Sequence, residues 1–299
     1  MIFQQSVKMK TWKPSIMMIT SAFCYSLQYL DVKSISPYFG IWMITFFRGL
    51  CSFLLSLSGI LISYKCNPEM HILGNKKKLL LVRGLFGALS IICSFLAVKN
   101  LNLSIATVIV STGPIFTGLM SCICKKNDWT TINTISLIIC FTGLLIICFK
   151  GFKDRIANFF IGFVAALSSA IFSALVNITI GEIKDENTFT ITFYAMSACI
   201  ILTFPGMVYE TLTHNYFDHS SSLHKIQLCF TGIASFSAQY LKTRSIQISD
   251  NLGVIIFRYF DVIFCLIWDV FILNSILLVY DYIGISLILL GCCVNTFKK

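Results

Sequence analysis

Apolar residues run along this chain in stretches of 16 to 25, separated by short polar breaks. A helix needs about 20 mostly apolar residues to cross the hydrocarbon core of a bilayer. The runs predict ten such helices, near Pro14–Leu30, Phe39–Ser63, Leu79–Val98, Ile105–Cys124, Thr131–Phe149, Ala157–Ile180, Phe189–Val208, Ile226–Leu241, Leu252–Asn274 and Ser275–Thr296. Segments this apolar must be helical, because lipid offers no partner to a free backbone group. The eighth is the weakest, being short and containing Gln239. The longest connections, Tyr64–Lys78 and Glu210–Lys225, leave no room for a soluble domain. Lys8, Lys10 and Lys13 precede the first run as in a signal peptide. No small-residue cleavage site follows cleanly, so a retained first helix is expected.

Composition agrees with the pattern. Hydrophobic residues make up 57% of the 299, charged residues 12%, and mean hydropathy is +0.82. Soluble domains carry about 25% charged residues, so a soluble enzyme, a nucleic-acid-binding module and a disordered chain are excluded. The net charge of +10 comes from basic residues placed between the apolar runs, which points to membrane orientation rather than to nucleic acid. With a cytoplasmic N-terminus and ten spans, the cytoplasmic side receives fourteen basic residues, among them Lys8, Lys65, Lys76, Lys184 and Lys242. The other side receives six, including Lys33 and the Lys150–Arg155 cluster. Both termini are therefore expected inside. Most of the 13 cysteines fall within apolar runs, where Cys behaves as a small hydrophobe. With no matched His pair, no metal site is expected.

The chain also resembles itself. At a shift of 145 residues, Gly87 meets Gly232, Ser90 meets Ser235, Phe95 meets Tyr240 and Lys99 meets Arg244. Near the ends of the halves the shift is 148, and Gly143 meets Gly291. The expected division is 1–150 and 151–299, five helices each. Five is odd, so the second half enters the membrane from the opposite side. Inverted repeats of this kind characterise secondary transporters, with the substrate near the midplane between the halves. Gene duplication without alternating access is the alternative.

Several runs of residues resemble the drug/metabolite transporter superfamily in its ten-helix EamA-type branch. They are Phe46-Phe47-Arg48-Gly49, Leu81-Val82-Arg83-Gly84, Phe95 through Ala106, Ser111-Thr112-Gly113-Pro114 and Ala238 through Arg244. Ile256-Phe257-Arg258-Tyr259-Phe260-Asp261 is similar to a ninth-helix pattern of the S-adenosylmethionine uptake branch. The resemblance implies an all-α integral membrane protein of ten transmembrane helices in two inverted five-helix repeats. Cys124-Lys125-Lys126 and Leu273-Asn274-Ser275 stand where the family often places Gly-Glu, so any role of those acids does not carry over.

Charge inside a membrane costs about 2.5–3.5 kcal/mol on insertion scales and persists where it faces a bundle interior or wet cavity. Arg48, Arg83, Arg258 and Asp261 qualify. Arg83 sits near a helix end and could snorkel. Arg48, at mid-span, could serve substrate, gate or interhelical packing. Arg258 and Asp261 lie three apart and share a helical face. They could neutralise each other or separate to hold a zwitterion, the guanidinium taking a carboxylate. Asp261 could instead carry a coupling proton, since burial favours a neutral carboxyl. Tyr259, Gln239, Tyr240 and Asn177 complete the candidate substrate set, although each also suits an interhelical hydrogen bond. Pro114 and Pro205 interrupt their backbone ladders and are candidate hinges. Gly162, Ala166, Ala170 and Ala174 recur every four residues. They form a small-residue packing seam, within the bundle or in a homodimer.

The function these features suggest is alternating-access transport of a small metabolite across a bacterial inner membrane. The first reading is uptake of S-adenosylmethionine or its exchange with S-adenosylhomocysteine. The alternative is an amino-acid or drug/metabolite exporter of the same superfamily. A membrane enzyme is the alternative of another class, but no cluster of His, Asp and Glu supports it. No catalytic residue, cofactor or nucleic-acid partner is expected. The absence of a GxxxxGK[ST] loop leaves a proton gradient or a counter-substrate as the drive.

Overall fold

A computed structural model describes residues 2–66, 73–101, 103–123, 131–148, 156–213, 222–249, 252–272 and 279–296. The described residues form helices throughout, and these make up ten spans. The first three are Ile2–Ile35, Ile41–Cys66 and Lys77–Asn100. The fourth comes in two pieces, Leu103–Val110 and Gly113–Ile123. Then follow Thr131–Cys148, Ile156–Glu182, Thr188–Thr213 and Ser222–Ile248. The ninth is a 3₁₀ segment, Leu252–Tyr259, continued by the α-helix Phe260–Phe271. The tenth is Val279–Thr296. Large apolar side chains such as Ile201, Phe204 and Leu212 stand exposed on the outer face, as lipid contact requires.

Two departures from the sequence pattern matter. The eighth span continues seven residues past its expected end at Leu241. Gln239, Lys242, Thr243 and Ser245 all face protein and are buried, so hydropathy underrates a helix whose polar residues point inward. Lys242 is accordingly no loop residue and drops out of the cytoplasmic charge count. The fourth and ninth spans, expected as single regular helices, both depart from that: the fourth is broken and the ninth changes helix type. Pro114 has no N–H to offer the Val110 carbonyl. The chain therefore tightens at Ser111 and Thr112, where the Thr112 N–H donates to the Ile109 carbonyl at 3.1 Å. In the ninth span an eight-residue 3₁₀ run exceeds the usual three or four residues. The break at 111–112 and the change of helix type at 259–260 are 148 residues apart. That is the shift separating Gly143 from Gly291.

Packing follows the same internal symmetry. The third span packs on the sixth and the eighth on the first; the third also meets the seventh, and the eighth the second. The fourth lies against the sixth as the ninth lies against the first. Exchanging each span for the one five further along leaves this scheme unchanged, and the pairs 2–7 and 5–10 map onto themselves. At the 5–10 seam, a Cβ on Gly143 would lie 2.7 Å from the Gly284 carbonyl oxygen. One on Gly291 would lie 2.8 Å from that of Ser136. The repeat-related glycines let these two backbones touch. The small-residue seam of the sixth span is used inside the chain: Gly162 abuts Leu101, and Ala166, Ala170 and Ala174 are buried.

Two further residues play equivalent parts in the two halves, although 151 positions separate them. Lys33, ending the first span, donates to the carbonyls of Val98 and Leu101 at 2.9 and 2.6 Å, closing the C-terminus of the third. Lys184, just past the sixth, donates to the Ser249 carbonyl at 3.0 Å beyond the eighth. A cation at a helix C-terminus satisfies orphan carbonyls and complements the dipole. Because the spans alternate in direction, the two caps sit on opposite faces of the membrane.

Candidate substrate site

Between the halves, a narrow polar cavity is lined by both members of two repeat-related pairs, the first and sixth spans and the third and eighth. The first span contributes Tyr25, Gln28 and Tyr29, and the third Ser90 and Ser94. The sixth brings Ser173, the eighth Gln239 and Lys242, and the 3₁₀ part of the ninth Arg258. Its volume of about 20 Å³ suits a water molecule, so a metabolite enters only if the helices move.

Three basic side chains gather at this cavity. The Lys242 ammonium donates to the Ser173 hydroxyl at 3.4 Å, and Arg258 Nη1 donates to the same oxygen at 3.3 Å. The Arg258 guanidinium also stacks on Tyr25, 4.7 Å from the ring centre. Behind them Arg83, fully buried, donates to Gln239 Oε1 at 3.1 Å. Arg83 Nε and Nη1, Arg258 Nε and Gln28 Oε1 are buried without a hydrogen-bond partner. A buried charge is expensive unless it is paired and hydrogen-bonded. The Arg83 and Arg258 nitrogens are therefore arranged for something that brings acceptors to them, and Gln28 Oε1 for a donor.

Arg258 and Asp261 make no ion pair within 4 Å; among the described residues the pair at that distance is Lys76–Asp185, at one membrane face. Arg258 belongs to the 3₁₀ segment and Asp261 to the following α-helix. Asp261 is fully buried, accepts a long contact from the Cys265 thiol at 3.9 Å, and has Oδ2 unpartnered.

Of the other sequence candidates, Gln239 lines the cavity. Arg48 lies deeper, donating from Nε to the Ser235 hydroxyl at 2.6 Å and stacking over Phe95. Asn177 donates to Thr117 at 3.2 Å, joining the sixth span to the fourth. Tyr240 sits in an aromatic group with Phe189 and Phe236. Tyr259 is fully buried among the residues of the ninth-span core. Pro114 opens the second piece of the fourth span, while the seventh span continues through Pro205. Sequence reasoning overlooked Lys242, assigned to a loop, and undervalued Arg83. The signal was available: Ser235, Gln239, Lys242 and Ser245 fall at helical spacing and extend a polar stripe past the apolar run.

Ten helices in two inverted halves around a buried polar cavity define a membrane transporter fold. The chain belongs to the EamA-like transporter family, whose pattern it matches twice, over residues 12–149 and 159–297. It is 24% identical over 261 residues to the pseudopaline exporter CntI of Pseudomonas aeruginosa, covering 85% of each chain. It is 22% identical over 270 residues to human solute carrier family 35 member G1, covering 86% of this chain and 72% of that one. A crystal structure with 16% identity superposes over 96% of both chains with a TM-score of 0.70, which speaks for the fold alone.

Proposed function

We propose that this protein is a secondary transporter that exports a small metabolite by alternating access through the central cavity. The observation that carries the reading is the cavity's position. It lies where repeat-related spans of the two halves meet, beside the broken fourth span and the ninth span with its 3₁₀ segment; irregular helices in corresponding places mark transporter sites. Export is supported by the relative named as an exporter. The S-adenosylmethionine uptake reading, drawn from Arg258 through Asp261, finds no support in either relative. Charge opposes it too. That molecule carries two positive centres and one carboxylate, and the cavity already holds cations. A like charge 4 Å away at an effective dielectric of about 20 costs about 4 kcal/mol.

The drive in this reading is a proton gradient or counter-substrate, with Asp261 the candidate proton carrier. Both termini are cytoplasmic, and the host membrane is a bacterial inner membrane. A homodimer would have to use a surface other than the sixth-span seam. The test is flux in proteoliposomes loaded with a panel of labelled metabolites. Release of unaltered solute, accelerated by solute on the far side, supports a carrier. A chemically altered product would make the chain an enzyme instead.

A further inference from the structure

We infer that the solute recognised in this cavity is a small organic dianion, bound by Lys242 and Arg258 with Arg83 behind them; this rests on the transporter reading of the same site. The two cations reach the cavity from different spans and converge on one neutral oxygen, the Ser173 hydroxyl, at 3.4 and 3.3 Å. Two cations sharing a neutral acceptor leave their charge uncompensated. Arg258 Nε and two nitrogens of Arg83 are buried without acceptors. Asp261 acts on Arg258 from beyond ion-pair distance, so among the described residues one carboxylate stands against three basic side chains. A neutral ligand would leave that excess unanswered, and a cation would add to it. A ligand with two negative charges on oxygen neutralises it: a guanidinium takes two oxygens of one carboxylate or phosphate, and an ammonium takes a third as a point charge. Tyr25 lies against the same guanidinium, its ring centre 4.7 Å from Cζ.

Carboxylate and phosphate share this chemistry, and the test separates them. The unaltered, full-length protein is purified in detergent, and binding of succinate, glycerol 3-phosphate, glutamine and putrescine is measured by calorimetry. The same solutes are then used in proteoliposome flux. Succinate, glycerol 3-phosphate or both should bind at least tenfold more tightly than glutamine, and putrescine should not bind. Lys242→Gln should weaken the dianion at least tenfold, and Lys242→Arg should restore most of it. The intact protein's selectivity stands as a test even if a variant fails to fold. Preference for glutamine or putrescine over both dianions overturns the inference, as does dianion affinity unchanged in a folded Lys242→Gln protein. Dianion binding without flux would uphold the ligand class and remove the carrier reading. Flux of a neutral or cationic solute alone would do the reverse.

Discussion

The two halves of this protein share a fold but divide the chemistry of its cavity unequally. The first half lines it with neutral groups, Tyr25, Gln28, Tyr29, Ser90 and Ser94; the second brings Lys242 and Arg258. At a shift of 145, Lys242 corresponds to Ala97 and Gln239 to Ser94. Packing positions, by contrast, match across the repeat: Gly143 and Gly291 in the 5–10 seam, Lys33 and Lys184 at the helix ends. On the proposed carrier reading, symmetry is kept where the halves exchange conformations and abandoned where one asymmetric solute is held.

The largest effect should come from removing the asymmetric charge. Arg258→Ala is expected to weaken solute binding tenfold to a hundredfold, the scale of a lost charge-assisted hydrogen bond of about 1.5–3 kcal/mol. Transport should fall accordingly while membrane insertion is kept, as read by flux alongside surface labelling. The next effect concerns a symmetric position far from the cavity. Gly291→Val pushes a side chain into the fifth-span backbone and should cost about 1–3 kcal/mol by overpacking. Thermal unfolding in detergent should show it, with binding affinity unaltered in the protein that remains folded.

A finer separation uses the two lysine caps. Lys33→Met should loosen the ends of the first and third spans on one face, and Lys184→Met those of the sixth and eighth on the other. Each loses roughly 1 kcal/mol of helix-end interaction. Labelling of a cavity cysteine from either side should shift in opposite directions in the two variants; a shift in the same direction would deny their equivalence. Smallest is Ser90→Ala. Ser90 and Ser169 each donate to the other's carbonyl, at 3.0 and 2.8 Å, where the third and sixth spans cross. Such bonds inside membranes average about 0.6 kcal/mol, so a slight loss of thermal stability is expected.

Much of this architecture was legible in the residues. Span count follows from apolar run length, and the repeat from the ordered matches of Gly87, Ser90, Phe95 and Lys99 with their partners. The site was legible only in part. Arg258 and Gln239 stood out as polar groups in apolar surroundings. Lys242 did not, because a lysine just past an apolar run reads as a loop charge, and only the continuing polar stripe shows that the helix goes on. Asp261 seemed to answer Arg258 because residues three apart share a helical face. A shared face does not by itself bring two charges within ion-pair distance, and here it does not. The 3₁₀ stretch before Phe260 carries no proline to betray it, unlike the break at Pro114.

If the two inverted halves open the cavity to opposite faces in turn, the two ends of the bundle move in opposite senses. Positions 34 and 99 lie at the ends of the first and third spans, and 185 and 244 are their counterparts by the sixth and eighth. All four are exposed. Bioorthogonal spin labels at each pair in lipid bilayers, read by pulsed dipolar spectroscopy with and without solute, measure both faces of one protein. Alternating access requires anticorrelated distances, one pair lengthening as the other shortens. Both pairs widening together, or neither responding under conditions that support flux, would contradict it.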